Sequence, residues 1–142
     1  MKILYRAIMA SSLSVAAISP AVAATGAAVF EQMPNPEIPP PFHGTWAREG
    51  QTCRNRVAPT FLRIMAGGIV KTDGAMRVLR IWLYPGDAPH FDHAIVDIVA
   101  TGSGGGRKDS LILHLNRGGL MLSIRHKGED DARAIIYRKC SR

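Results

Sequence analysis

The chain has 142 residues, of which 46% are hydrophobic, and carries 18 lysines and arginines against 11 acidic residues. Such a length allows one domain, and the bases are scattered with no run of five like charges, which argues against a nucleic-acid-binding tail. In an exported protein a diffuse positive surface of this kind suits an anionic polymer or an acidic protein as partner, and a solvated basic surface with no partner is the alternative.

Residues 1–23 read as a cleavable secretory signal peptide. Lys2 and Arg6 supply the positive start, and Ala7 to Ile18 are twelve residues, apolar apart from three serines. Pro20 breaks any helix, and Ala21-Val22-Ala23 offers the small residues a signal peptidase cuts after. A membrane anchor would need about 20 largely apolar residues, and this run is shorter. No later stretch is long or apolar enough to span a bilayer, so the expectation is a periplasmic or secreted protein. Cleavage removes two of the 18 bases and no acid, leaving 16 against 11 and a net charge of +5.

Residues 24–42 follow as a Pro-rich flexible lead. Five of the nine prolines fall at Pro34, Pro36, Pro39, Pro40 and Pro41, which favour extended geometry and forbid a helix. The domain is expected from residue 43 to 142. Both cysteines, Cys53 and Cys140, lie in it, and two cysteines in a small exported domain are most simply one structural disulfide. The bridge would close a loop of about 88 residues, worth roughly 4–5 kcal/mol in the chain-entropy view.

The domain reads as β throughout. Phe61 to Ala66 is taken as a strand, and Arg77 to Tyr84 alternates with Leu79, Ile81 and Leu83 on one face. Ala94, Val96, Ile98 and Ala100 repeat the period of two, then Leu111, Leu113 and Leu115, then Leu120, Leu122 and Ile124. A last run from Ala132 to Cys140 puts Ile135 and Tyr137 on one side and Arg138 on the other. Turn signals separate the runs at Asp73-Gly74, Pro85-Gly86-Asp87, Gly102 to Gly106, Arg117-Gly118-Gly119 and Gly128 to Asp131. Seven to eight short antiparallel strands must hide one apolar face. An up-and-down barrel is favoured over a two-sheet sandwich because no long crossover intervenes. If the first and last strands pair, Cys140 lies near Gly44, and the chain must turn back at Glu49-Gly50-Gln51-Thr52 for Cys53 to reach it.

Gly44-Thr45-Trp46 at the first strand, with a basic residue near the end of the last, resembles the lipocalin and avidin group of small barrels. The layout also resembles small uncharacterised exported bacterial β-domain proteins and, less closely, the barrel-shaped inhibitors that bacteria keep in the periplasm. The lipocalin and avidin resemblance implies that Trp46 closes one barrel end and stacks against Arg138, with Lys139 as the substitute. It implies no ligand.

Motifs for chemistry are few. His90-Phe91-Asp92-His93, with Asp97 beyond, holds metal-ligand residue types, but in a strand residues three apart face opposite ways, so no metal site is assigned. Gly102 to Lys108 does not fit a phosphate loop, because Lys108 follows Arg107, precedes Asp109, and no helix comes next. Glu129-Asp130-Asp131 lacks the alternating spacing of a calcium loop. Ser103 and Ser110 adjoin no nucleophile elbow and the cysteines are expected to be oxidised, so no catalytic residue or cofactor is assigned. Arg80, Trp82 and Tyr84, opposite the leucine face, form a candidate binding face of the residue types that dominate contact surfaces. Cover by the Pro-rich lead, or a place in a second core layer, is the alternative for that face. The expected function is a binding or interaction protein for an unknown envelope protein or polymer. A barrel holding a small apolar ligand is the alternative, and an enzyme comes third.

Overall fold

The computed structural model describes residues 29–54, 60–88, 90–102 and 105–141; the signal-peptide segment lies outside them. The described residues form nine strands, with four short 3-10 turns among them: β1 Glu31–Gln32, β2 Gly44–Arg48, β3 Phe61–Met65, β4 Gly68–Lys71, β5 Gly74–Leu83, β6 His93–Thr101, β7 Lys108–Asn116, β8 Met121–His126 and β9 Ile135–Lys139. Strands β2 to β9 each pair antiparallel with their sequence neighbours, and β9 returns to β2. The result is a closed eight-stranded up-and-down barrel with β1 as an extra strand on β5. Closure removes every free edge from the eight strands.

Alternation decides the interior. Ile64, Ile69, Ile81, Ala94, Val96, Leu113 and Leu122 are among the side chains buried in one continuous core. A barrel this narrow is filled by its own side chains. At β5 the expected parity fails. A register shift between Val78 and Arg80 turns Val78 inward, at 4% exposure, and leaves Leu79 half-buried. Val78 N–H donates to the carbonyl of Gly67 at this bulge. Leu120 also departs from its expected core face: it follows the Arg117–Gly119 turn and is 61% exposed.

The two barrel ends differ. At one end the described part of the lead, residues 29–42, does not hang free as a tether. Glu31 and Gln32 pair with Leu83 and Trp82, and Ile38 N–H donates to the carbonyl of Ala66. Ile38 and Phe42 then plug the barrel as core residues. The prolines exclude a helix but leave this extended strap free to pack, because Pro40 to Phe42 form a 3-10 turn under the barrel. The indole N–H of Trp46 donates to the carbonyl of Phe42 at 2.9 Å, so strap and barrel share one core.

Cys53 and Cys140 form the disulfide, with Cα atoms 5.6 Å apart. The chain turns after Arg48, where Gln51 N–H donates to the Arg48 carbonyl, and comes back to Cys140, whose own N–H donates to Thr45. Such a bridge is the mark of an oxidising, non-cytosolic compartment. Among the described residues no helix is long and apolar enough to cross a membrane.

Candidate functional site

The end opposite the strap is open. There the inward positions of β4 to β9 continue past the packed core and leave a cavity of about 260 Å³. Its floor is apolar: Ile69, Ile98 and Leu111 are buried, and Met76 and Ile124 pack on them. Tyr137 stands in the wall from β9, opposite Arg48 of β2. Burial pushes the Tyr137 phenol above its ordinary value, Arg48 pulls it the other way less strongly, and Asp73 adds slightly to the rise.

Charged side chains ring the mouth, and their pairing is uneven. Asp109 accepts from Nδ1 of His126 at 2.8 Å, and a Glu129 carboxylate oxygen accepts from the His126 backbone N–H. Arg125 is held by Asp131 at 2.8 Å and donates to the Glu129 carbonyl. Two lining cations remain, Lys71 on β4 and Arg133 in the Asp131–Arg133 turn. Neither makes an ion pair among the described residues. The rim acids are therefore engaged in local structure while two cations face the opening unneutralised.

No protein-family model, curated protein or solved structure matches this chain. Its site is thus read from its own geometry.

The residues singled out in the sequence are dispersed. Trp46 is fully buried at the strap end, but Arg138 does not lie on it. On β9 the inward positions are Tyr137 and Lys139, and Arg138 between them points outward and reaches the Gln51 carbonyl at 3.5 Å. Lys139 holds the place instead, its Nζ 5.2 Å from the Trp46 ring and donating to the Pro41 carbonyl. Strand parity excludes Arg138 from the stack.

Arg80 and Trp82 share the outer face of β5, and Tyr84 follows directly after its last residue. The Arg80 guanidinium lies 5.3 Å over the Trp82 ring and pairs with Asp97 at 2.9 Å. Ser110 donates to the other Asp97 oxygen at 2.6 Å. Tyr84 meets Phe30 of the strap at 5.9 Å, so the lead partly covers this face. Beside Trp82, Ile95 and Ile112 extend an outward row across β6 and β7.

The suspected metal residues are not gathered into one group. Asp97 belongs to Arg80, while Nδ1 of His93 meets Asp87 at 2.9 Å. The His93 ring stacks on that of His114 with centroids 4.1 Å apart. Among the described residues no group of three or more His, Cys, Asp or Glu side chains is placed to hold a metal ion. The mouth residues Lys71, Met76 and Arg133 escaped the sequence reading. Lys71 sits in a four-residue strand announced by no alternation, and Arg133 lies in a polar turn.

Proposed function

We propose that this chain is a binding protein of the periplasm or cell exterior, whose site is the open mouth of its barrel. Its ligand is a small amphipathic molecule, with an apolar body against Met76, Ile98 and Ile124 and an anionic head between Lys71 and Arg133. The observation that carries the reading is the asymmetry of the barrel, filled and strapped at one end and hollow at the other. A cavity of about 150 Å³ holds benzene, so 260 Å³ suits a body of about ten non-hydrogen atoms. A largely apolar floor with a small number of placed polar groups is what small-molecule sites have in common.

Calorimetry with octanoate and with octanol tests it. Both bind saturably to the exported, disulfide-intact protein, and Met76→Trp, which fills the mouth, abolishes both. Lys71→Met together with Arg133→Met weakens octanoate by about tenfold or more and leaves octanol nearly unchanged. Absence of saturable binding by either probe overturns the reading.

A second reading, contact with an envelope protein or polymer through the outer face, is favoured by Trp82. Its ring is half-buried in a row with Ile95 and Ile112 and carries a guanidinium over it, the make-up of contact hot spots. Under that reading Trp82→Ala leaves octanoate binding intact and removes the partner.

A further inference from the structure

Two imidazoles on the outer wall are arranged in a way that neither the mouth nor the Trp82 face uses. His93 on β6 and His114 on β7 are direct cross-strand partners, with ring planes inclined by only 12°. We propose that His93 and His114 form a bis-imidazole site for a divalent transition-metal cation, copper(II) first among them.

Three features lead to it. The first is the tautomer of His93. Asp87 receives a hydrogen bond from Nδ1 at 2.9 Å, and an ionised carboxylate can only accept. Nδ1 therefore carries the proton in the neutral ring, and Nε2 keeps its lone pair. A carboxylate behind one imidazole nitrogen, with the other left to coordinate, is the arrangement that orients histidine ligands in metal sites.

The second feature is how the chain holds that carboxylate in place. The carbonyl of Asp87 accepts the N–H groups of both His90 and Phe91 at 2.8 Å. Phe91 adopts a φ of 34°, in the region a non-glycine side chain seldom enters, and packs on the core. The Leu115 N–H then ties to the Asp92 carbonyl. The loop before β6 is thus fastened to both β7 and the core, and Asp87 is fixed beside His93.

The third is access. The His93 side chain is 41% exposed, so an ion reaches it from solvent. In the stack the two ring planes run side by side, and a shared ion needs metal–nitrogen bonds of about 2.0–2.1 Å. Tilting the rings about the soft torsion at the imidazole brings two nitrogens onto one ion, and water completes the coordination. Two neutral nitrogen donors place copper(II) ahead of nickel and zinc in affinity. The site is open and holds its ion reversibly. It is independent of the mouth and of any ligand there.

Copper(II) titration of the exported, disulfide-intact protein, followed by NMR, tests the proposal without any variant. Paramagnetic broadening is expected first at His93 and His114 and their neighbours on β6 and β7. His93→Asn and His114→Asn each remove the saturable calorimetric signal, Asp87→Ala weakens it by about tenfold, and His90→Asn leaves it unchanged. Because His93 and His114 lie on the outer face and Asp87 and His90 in the segment before β6, thermal melting of each variant confirms the fold before binding is read. Broadening centred on His126 or His43 overturns the assignment, as does undiminished binding by the His93 and His114 variants.

Discussion

Trp46 shows how a single side chain joins two parts of the molecule. Its indole is buried, gives its N–H to the strap and lies beneath the Lys139 ammonium. Trp46→Ala is expected to cost about 3–5 kcal/mol in urea unfolding, as a buried aromatic does. Lys139→Met alone is milder, since a cation over a ring contributes roughly 0.5–2 kcal/mol. The two losses combine non-additively in a double-mutant cycle, whereas Arg138→Ala adds independently. Tyr137 yields a pH effect of known sign. Its folded value is raised by burial, so the stabilisation is complete below the ordinary tyrosine value near 10. Above that the unfolded chain ionises first, and stability falls as pH rises through the folded value. Urea midpoints on either side of pH about 10 reveal a slope, and Tyr137→Phe removes this residue's part of it. At this scale the sequence was readable where parity ran unbroken, as at Val96, Ile98, Leu111 and Leu113. Parity was ambiguous where two apolar neighbours, Val78 and Leu79, competed and a bulge chose between them.

Among the barrel strands, β4 is the one the sequence concealed. It is only four residues long, too short to show alternation, and it begins at Gly68. A Cβ there would come within 2.3 Å of the Met76 carbonyl oxygen, so glycine is what lets β4 and β5 approach. Gly68→Ala is expected to destabilise by about 1–3 kcal/mol, the usual cost of forcing atoms into a packed contact, and chemical denaturation measures it. Strand β9, by contrast, was legible, and so was its staple, because two cysteines and one closing seam left few ways to join. The bridge joins cysteines 87 positions apart in the chain. Its reduction is expected to cost at most about 4–5 kcal/mol. Amide exchange then rises first in Ile135–Lys139, and unchanged exchange there would show the staple to be idle.

For the whole molecule, the lead is the main revision. Proline content suggested a free tether, but composition does not reveal that Ile38 and Phe42 lie within reach of an open barrel end. Since they belong to the same core as Trp46, strap and barrel are expected to open together. The Ile38 amide, bonded to Ala66, then exchanges only at the global unfolding limit. Faster exchange of Ile38 than of β6 amides would mean that the strap detaches by itself. The candidate site was the least legible feature, because the mouth draws one to three residues from each of six strands and adds Glu129 and Arg133 between β8 and β9, and no local pattern marks such a set.

The strapped end has one more consequence, for attachment. Glu31 lies beside Leu83, and Lys139 beside Pro41, so both the first strand and the last residues of the described chain emerge at that end. Anything fused or anchored at residue 141 therefore sits behind the barrel, and the hollow faces away from it. Coupled to a sensor chip through its carboxyl end, the protein would present every mouth outward to the flowing solution. Coupling through Lys71 would turn the same molecules over and block the opening they are meant to display.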